Sequence, residues 1–239
     1  MSIYDLAMAQ LKAMENVFGF DPTTIEQGSL EWKIMRLGVL TASKADKIVA
    51  GKDTDGRATY MAELISDIVN CNSGDESNFK QTDWGKLYEP EARTALSAAL
   101  GFADIKEIPL TYKDQSMRIA VSPDGVFGNV CCEIKAPFDG ANHIKHAAFD
   151  KVKPEWQWQR QFQIFGTGCE KHIFCTYDPR VILGANNLHY TETYPDDKKQ
   201  ATLRDAVPQF IADLDAALEK LGVTFGQHWE YLKQQRSKI

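Results

Sequence analysis

Ser122-Pro123-Asp124-Gly125, followed after eight residues beyond Asp124 by Glu133-Ile134-Lys135, is the stretch on which the reading of this chain turns. A strand ending at Asp124, a tight turn, and a second strand carrying Glu133 would bring both carboxylates to one end of a hairpin-like unit. Side chains alternate along a strand, so Glu133 and Lys135 share one face while Ile134 points to the core. Two acids and a lysine then converge. Two hard oxygen anions held close together repel unless a cation lies between them, and Mg²⁺, which takes octahedral oxygen ligands, suits that place. A lysine beside them can position a water and compensate charge on a phosphate, an arrangement fit for metal-assisted phosphodiester hydrolysis. The plain alternative stays open at this point: Ser-Pro-Asp-Gly is a good turn sequence, and Glu-x-Lys on a strand also describes a solvated face.

Around this stretch the pattern is of short β-like runs at 105–112, 117–122, 130–135, 171–177 and 188–194, predicted to pair into a sheet. Residues 140–149 and 154–166 read as helices between them. Leu203, Val207, Phe210, Leu214, Leu218 and Leu221 recur at helical spacing and predict a long amphipathic helix. The first third reads as helical over 3–17, 30–37, 42–49 and 60–69, with an exposed loop at 70–81 and a helix at 87–100 stopped by Gly101. That placement puts Glu89 near a helix N-terminus, where the helix dipole favours an anion; as a metal ligand it would be a third acidic arm.

The chain has 239 residues, 44% apolar and 25% charged, the composition of an ordinary folded protein. We expect one domain over 1–239, since neither a repeat nor a low-complexity linker divides it. With 27 Lys+Arg against 33 Asp+Glu the net charge is −6, so any nucleic-acid site must be locally basic. Neither a membrane-spanning run nor the basic and apolar pattern of a secretory signal is evident, which makes no membrane and a cytoplasmic location the expectations. Five cysteines without a C-x-x-C pair suggest reduced thiols rather than zinc ligands or disulfides.

The spacing Pro-Asp-x₈-Glu-x-Lys resembles the signature of the PD-(D/E)XK nuclease superfamily, and neighbouring residues are similar to its bacteriophage λ exonuclease, or YqaJ-like viral recombinase, branch. They include Glu26-Gln27-Gly28, the run from Arg36 to Ser43, Trp84-Gly85-Lys86-Leu87-Tyr88-Glu89, Ser116-Met117-Arg118, Pro137-Phe138, Gln161-Phe162-Gln163, Tyr177-Asp178-Pro179-Arg180 and Phe225-Gly226-Gln227-His228-Trp229. The resemblance implies an α/β fold with a restriction-endonuclease-like core, a central mixed sheet flanked by helices. It implies a Mg²⁺-dependent, processive 5′→3′ exonuclease on double-stranded DNA, with Mn²⁺ as a substitute ion, releasing mononucleotides and leaving 3′ overhangs for recombination. Asp124, Glu133, Glu89 and the Ile134 carbonyl would bind metal, and Lys135 would orient the attacking water. Arg36, Ser43, Ser122 and Gln161 would hold the 5′-phosphate.

The same resemblance implies a toroidal homotrimer around DNA and a single-strand annealing protein as partner. Lys44, Lys47, Lys52, Arg57, Lys145, Lys151 and Lys153 are candidates for the channel lining, each equally readable as surface charge. The position of an apolar strand-splitting wedge falls near Thr82, with Phe79 three residues earlier. Two other readings stand beside this one: an endonuclease or resolvase on the same core, and a DNA-binding scaffold without catalysis.

Overall fold

The computed structural model describes residues 1–72, 79–184 and 187–236. Helix α1 (Ile3–Ala13) opens on a capping box in which Ser2 and Asp5 satisfy each other's backbone N–H groups, and α2 (Glu15–Phe18) follows after a break at Met14. Next come α3 (Leu30–Met35), β1 (Leu40–Thr41), a 3₁₀ turn at Ala42–Lys44, α4 (Ala45–Ile48), α5 (Asp55–Asn70) and α6 (Phe79–Ala99). Strands β2 (Thr111–Tyr112), β3 (Ile119–Val121), β4 (Gly125–Phe127) and β5 (Val130–Lys135) precede α7 (Gly140–Phe149) and α8 (Pro154–Thr167). The chain closes with β6 (Lys171–Tyr177), β7 (Leu188–Thr193), α9 (Asp197–Lys220) and α10 (Gln227–Arg236).

The fold is α/β, with mixed sheets flanked by helices. The strands divide into two sheets, ordered β1-β3-β2 and β4-β5-β6-β7. In the first, β1 runs parallel and β2 antiparallel to β3; in the second, β5 and β6 run parallel between antiparallel edges. Helix α8 starts on Pro154, whose missing N–H costs a helix nothing at its first position, and ends at Gly168 with φ +69. It crosses β3, β5 and β6, and so spans both sheets. One apolar cluster gathers α5, α8 and α9 around Leu64, Phe162 and Phe210; another packs Ala92 and Leu96 of α6 against Ile134, Ile173 and Cys175 of the second sheet.

Several boundaries differ from the sequence reading. The hairpin turns at Gly128-Asn129, not at Asp124-Gly125: Phe127 pairs with Val130, and Gly128 takes φ +54, the left-handed region a two-residue turn asks of its first residue. Asp124 therefore enters β4 rather than ending a strand. Most of 105–112 is irregular, joined to β4 by a bridge from Lys106 to Val126. Asn70 closes α5 and Phe79 opens α6, so the loop expected at 70–81 is shorter at both ends, with 73–78 outside the described residues. Glu89 lies mid-helix, and the reading of its carboxylate as stabilised by a helix N-terminus falls. Leu87, which was to open the helix expected at 87–100, lies inside α6 and is 67% exposed. Helix α10 and strand β4 were not anticipated.

Candidate active site

Asp124 and Glu133 are tied together by backbone geometry. The Ile134 N–H donates to Asp124 Oδ2 at 2.6 Å, and the Asp124 N–H donates to the Cys132 carbonyl at 3.0 Å, extending the β4–β5 ladder through the acid. Glu89 joins from α6 through Arg93, one helical turn on. Arg93 donates to Glu89 Oε1 at 2.6 Å, to the Asp124 carbonyl at 3.2 Å and to Glu107. A single guanidinium thus sets the distance from α6 to the start of β4.

Lys135 lies on the same face of β5 as Glu133 and donates to its Oε1. Glu133 is 2% exposed, and its carboxylate also accepts from Gln159 Nε2 at 2.5 Å and from Gln163 Nε2, both on α8. Burial pushes the Asp124 carboxyl well above its ordinary range, and Glu133 and Glu89 add to the rise against Lys135. Burial also raises Glu89; Arg93 pulls it back, while Glu107 and Glu133 push it further. Burial alone would lower the Lys135 ammonium, but Glu133, Asp124 and Glu89 around it hold it above its usual value. The chemistry of this donor set, hard oxygens whose mutual repulsion is only partly compensated, fits a divalent cation.

Glu89, Asp124, Ile134 and Lys135 line a cleft of about 520 Å³ with Lys86, Phe138, Asn142, Lys153 and Trp156. Among the described residues, no group of three or more His, Cys, Asp or Glu is arranged to hold a metal ion. Of the expected acids, Glu89 and Asp124 face the cleft, while Glu133 is engaged by Lys135 and two amides.

The part of the cleft formed by Pro137, Phe138 and α7 is fastened by two further groups of contacts. Arg180 clasps Asp178 through Nε and Nη2, each at 2.8 Å, reaches the Pro137 carbonyl at 3.3 Å and lies over the Trp84 ring at 4.6 Å. His143 and His146 of α7 each place Nδ1 at 2.9 Å from the Thr176 hydroxyl on β6, whose backbone partner is Lys135.

The four residues expected around a terminal phosphate separate. Parallel pairing of β1 with β3 sends Ser43 and Ser122 off the same end of the sheet, two residues beyond the paired Thr41 and Ala120. Ser122 Oγ is buried and unpartnered among the described residues; Ser43 is exposed, 3.4 Å from Thr41 Oγ1. Arg36 stacks on Trp32 at 3.8 Å, and its charge reaches Tyr60, whose hydroxyl accepts from the Thr41 N–H at 3.2 Å. Gln161 is not presented with them. It is 4% exposed; its Nε2 donates to the Tyr194 carbonyl at 2.9 Å, and its Oε1 accepts from Asp196 N–H and Gln200 Nε2. In this structure it fastens the β7–α9 connection to α8.

The basic candidates also divide. Arg57 is 7% exposed, pairs with Asp213 at 2.6 Å and packs over Phe210, so it joins α5 to α9 instead of lining an open channel. Lys52 meets the same carboxylate, Lys44 pairs with Glu63 and Lys47 with Asp46. Lys153 faces the cleft. The Phe79 and Thr82 side chains, considered for the wedge, lie outside the described residues. Sequence reasoning passed over Gln159 and His172, and gave Gln163 and Arg93 no role of their own. The Gln159/Gln163 repeat, four residues apart on a helix following an acidic strand, was the available signal.

The family model of the YqaJ-like viral recombinase domain matches residues 31–170. An alkaline exonuclease (LHK-Exo) from Laribacter hongkongensis superposes with a TM-score of 0.70 at 29% identity, over 88% of this chain and 99% of that one. Its complex with dAMP gives 0.71 at the same identity and coverage. A phage related exonuclease from Haemophilus somnus 129PT shares the fold, with a TM-score of 0.61 at 15% identity over 77% of this chain and 96% of its own. The protein ExoD of Escherichia coli (strain K12) is 32% identical over 81 residues, which is 34% of this chain and 91% of ExoD. No helix among the described residues is long and apolar enough to cross a membrane.

Proposed function

Because the chain belongs to the family of YqaJ-like viral recombinase domains, we propose that it is a Mg²⁺-dependent exonuclease that degrades one strand of duplex DNA from the 5′ end. It would work processively, releasing mononucleotides and leaving a 3′ single strand for annealing. The observation that carries this reading is the meeting, in one cleft, of Glu89 and Asp124 with Lys135, backed by Glu133. The dAMP complex of LHK-Exo and the name of that enzyme support the same reading.

Glu89, Asp124, Glu133 and the Ile134 carbonyl would hold Mg²⁺, for which Mn²⁺ can substitute. The ion supplies Lewis acidity and lowers the pKa of bound water. Lys135, kept cationic by three surrounding acids, would orient an attacking water and balance charge on the phosphate. Arg93 holds Glu89 toward the hairpin. Arg36, Ser43 and Ser122 form the 5′-phosphate pocket. Gln161 would join that pocket only by turning its amide from the Tyr194 carbonyl.

In this reading residues 1–239 act as one nuclease domain in the cytoplasm. Three copies form a ring around DNA, and a single-strand annealing protein takes the exposed strand. Digestion in Mg²⁺ of linear duplex labelled separately at each terminus tests the proposal, with closed circular duplex as control. Early loss of the 5′ label as mononucleotide with an intact circle is expected. Nicking of the circle, or loss of the 3′ label first, overturns it and favours an endonuclease or the opposite polarity.

A further inference from the structure

Glu133 is approached from behind by a chain of polar groups that never reaches the cleft. Gln163 Nε2 donates to Glu133 Oε2, and Gln163 Oε1 lies 2.6 Å from His172 Nε2. Gln163 is 1% exposed and His172 0%. His172 Nδ1 is buried without a hydrogen-bond partner among the described residues. These contacts fix every hydrogen. An ionised carboxylate only accepts, so the Gln163 amide must turn its NH₂ toward Glu133. Its oxygen then faces His172, and Nε2 must carry the imidazole proton, leaving Nδ1 bare.

An orphaned buried acceptor is destabilising, a cost that a phenyl ring filling the same space would not incur. What the imidazole adds is one N–H aimed at Gln163 Oε1. We propose that His172 and Gln163 are positioning residues, a buried relay that fixes the Gln163 amide in one of its two flips and through it the orientation of Glu133. The proposal rests on the reading of Glu133 as a metal ligand. With His172 present, flipping the amide would oppose oxygen to carboxylate on one side and N–H to N–H on the other. Without it, only the first penalty remains. Gln159, one turn earlier, holds Oε1 and leaves Oε2 to the relay. Burial keeps His172 neutral by lowering its pKa to about 3, in keeping with a ring that donates but does not titrate.

Partners of metal ligands typically change metal affinity by about ten- to a hundredfold when removed. Mn²⁺ titration of the DNA-free full chain, followed by calorimetry, should therefore show roughly tenfold weaker binding for Gln163→Met. A smaller loss in the same direction is expected for His172→Phe, with duplex affinity measured in EDTA unchanged in both. Unaltered Mn²⁺ affinity in Gln163→Met overturns the relay. Asp124→Asn with wild-type Mn²⁺ affinity overturns the metal site itself, a separable result. The ¹⁵N spectrum of histidine-labelled wild-type protein gives a check independent of variant folding: His172 should be in the Nε2–H form from pH 5.5 to 8, and an Nδ1–H form sinks the relay.

Discussion

The backbone N–H of Ile134 donates to Asp124 Oδ2 at 2.6 Å, so one acid of the site is bound to the strand that carries the other. The hairpin from Gly125 to Lys135 therefore delivers Asp124, Glu133 and Lys135 as one rigid piece, with Glu89 brought to it by Arg93. Rigidity of this kind places two carboxylates together although their proximity is unfavourable in isolation.

Asp124→Asn should lower exonuclease turnover on linear duplex by about two to three orders of magnitude, the scale on which one electrostatic stabiliser is lost from an active site. It should also raise the thermal midpoint in EDTA at neutral pH. The folded pKa of Asp124 lies above its unfolded value, so the ionised form costs stability once pH exceeds the unfolded pKa, and the amide removes that cost. An unchanged rate removes Asp124 from the site.

Arg36→Ala should slow digestion of 5′-phosphorylated ends by about tenfold or more, the loss of one charge-assisted contact, while 5′-hydroxyl ends change little. The comparison is made on duplexes differing only in that group. Equal slowing of both ends places Arg36 in the fold, where it stacks on Trp32, and not at the phosphate.

Arg57→Met removes the one buried cation at the Asp213 carboxylate, which keeps Lys52 and Gln209, and should cost about 1 kcal/mol in urea unfolding. Activity per folded molecule at 20 °C should be retained. A selective loss of DNA binding with stability unchanged would return Arg57 to the channel.

Three buried histidines predict acid sensitivity. Burial lowers His146 and His228 to about 4 and His172 to about 3. Their folded pKa values lie below the unfolded one, so the stability they contribute is present above about pH 6.5 and is lost as pH falls through the folded values. His228 Nε2 donates to the Leu37 carbonyl at 3.1 Å. His228→Phe should flatten the fall of unfolding free energy between pH 6.5 and 4.5 by up to one proton's share. An unaltered slope contradicts the assignment.

Strands β5 and β6 and helix α7 were legible in full because their apolar patterns are long and bounded by clear turn residues. Strand β4 was hidden: Gly125-Val126-Phe127 is too short to show alternation, and Pro123-Asp124-Gly125 reads as a turn before the true turn at Gly128. The position of Glu89 in α6 was missed because the helix was expected to start only at 87, after Gly85, yet it begins at Phe79 and runs through both Gly85 and Pro90. The acidic residues could be named from spacing. The amides behind Glu133 left only their four-residue spacing as a signal, and their partner could not be named because it depends on how α8 crosses the second sheet.

Ile3 N–H donates to the Gly128 carbonyl at 3.0 Å, and Ile3 and Ala7 cover Val126, Cys131 and Ile164. The tip of the hairpin is thus clamped by the first turn of α1, while the carboxylates sit at the hairpin's other end. Loosening that turn, by Ile3→Ala for example, is consequently an intervention on the carboxylates by leverage, through a residue that touches none of them.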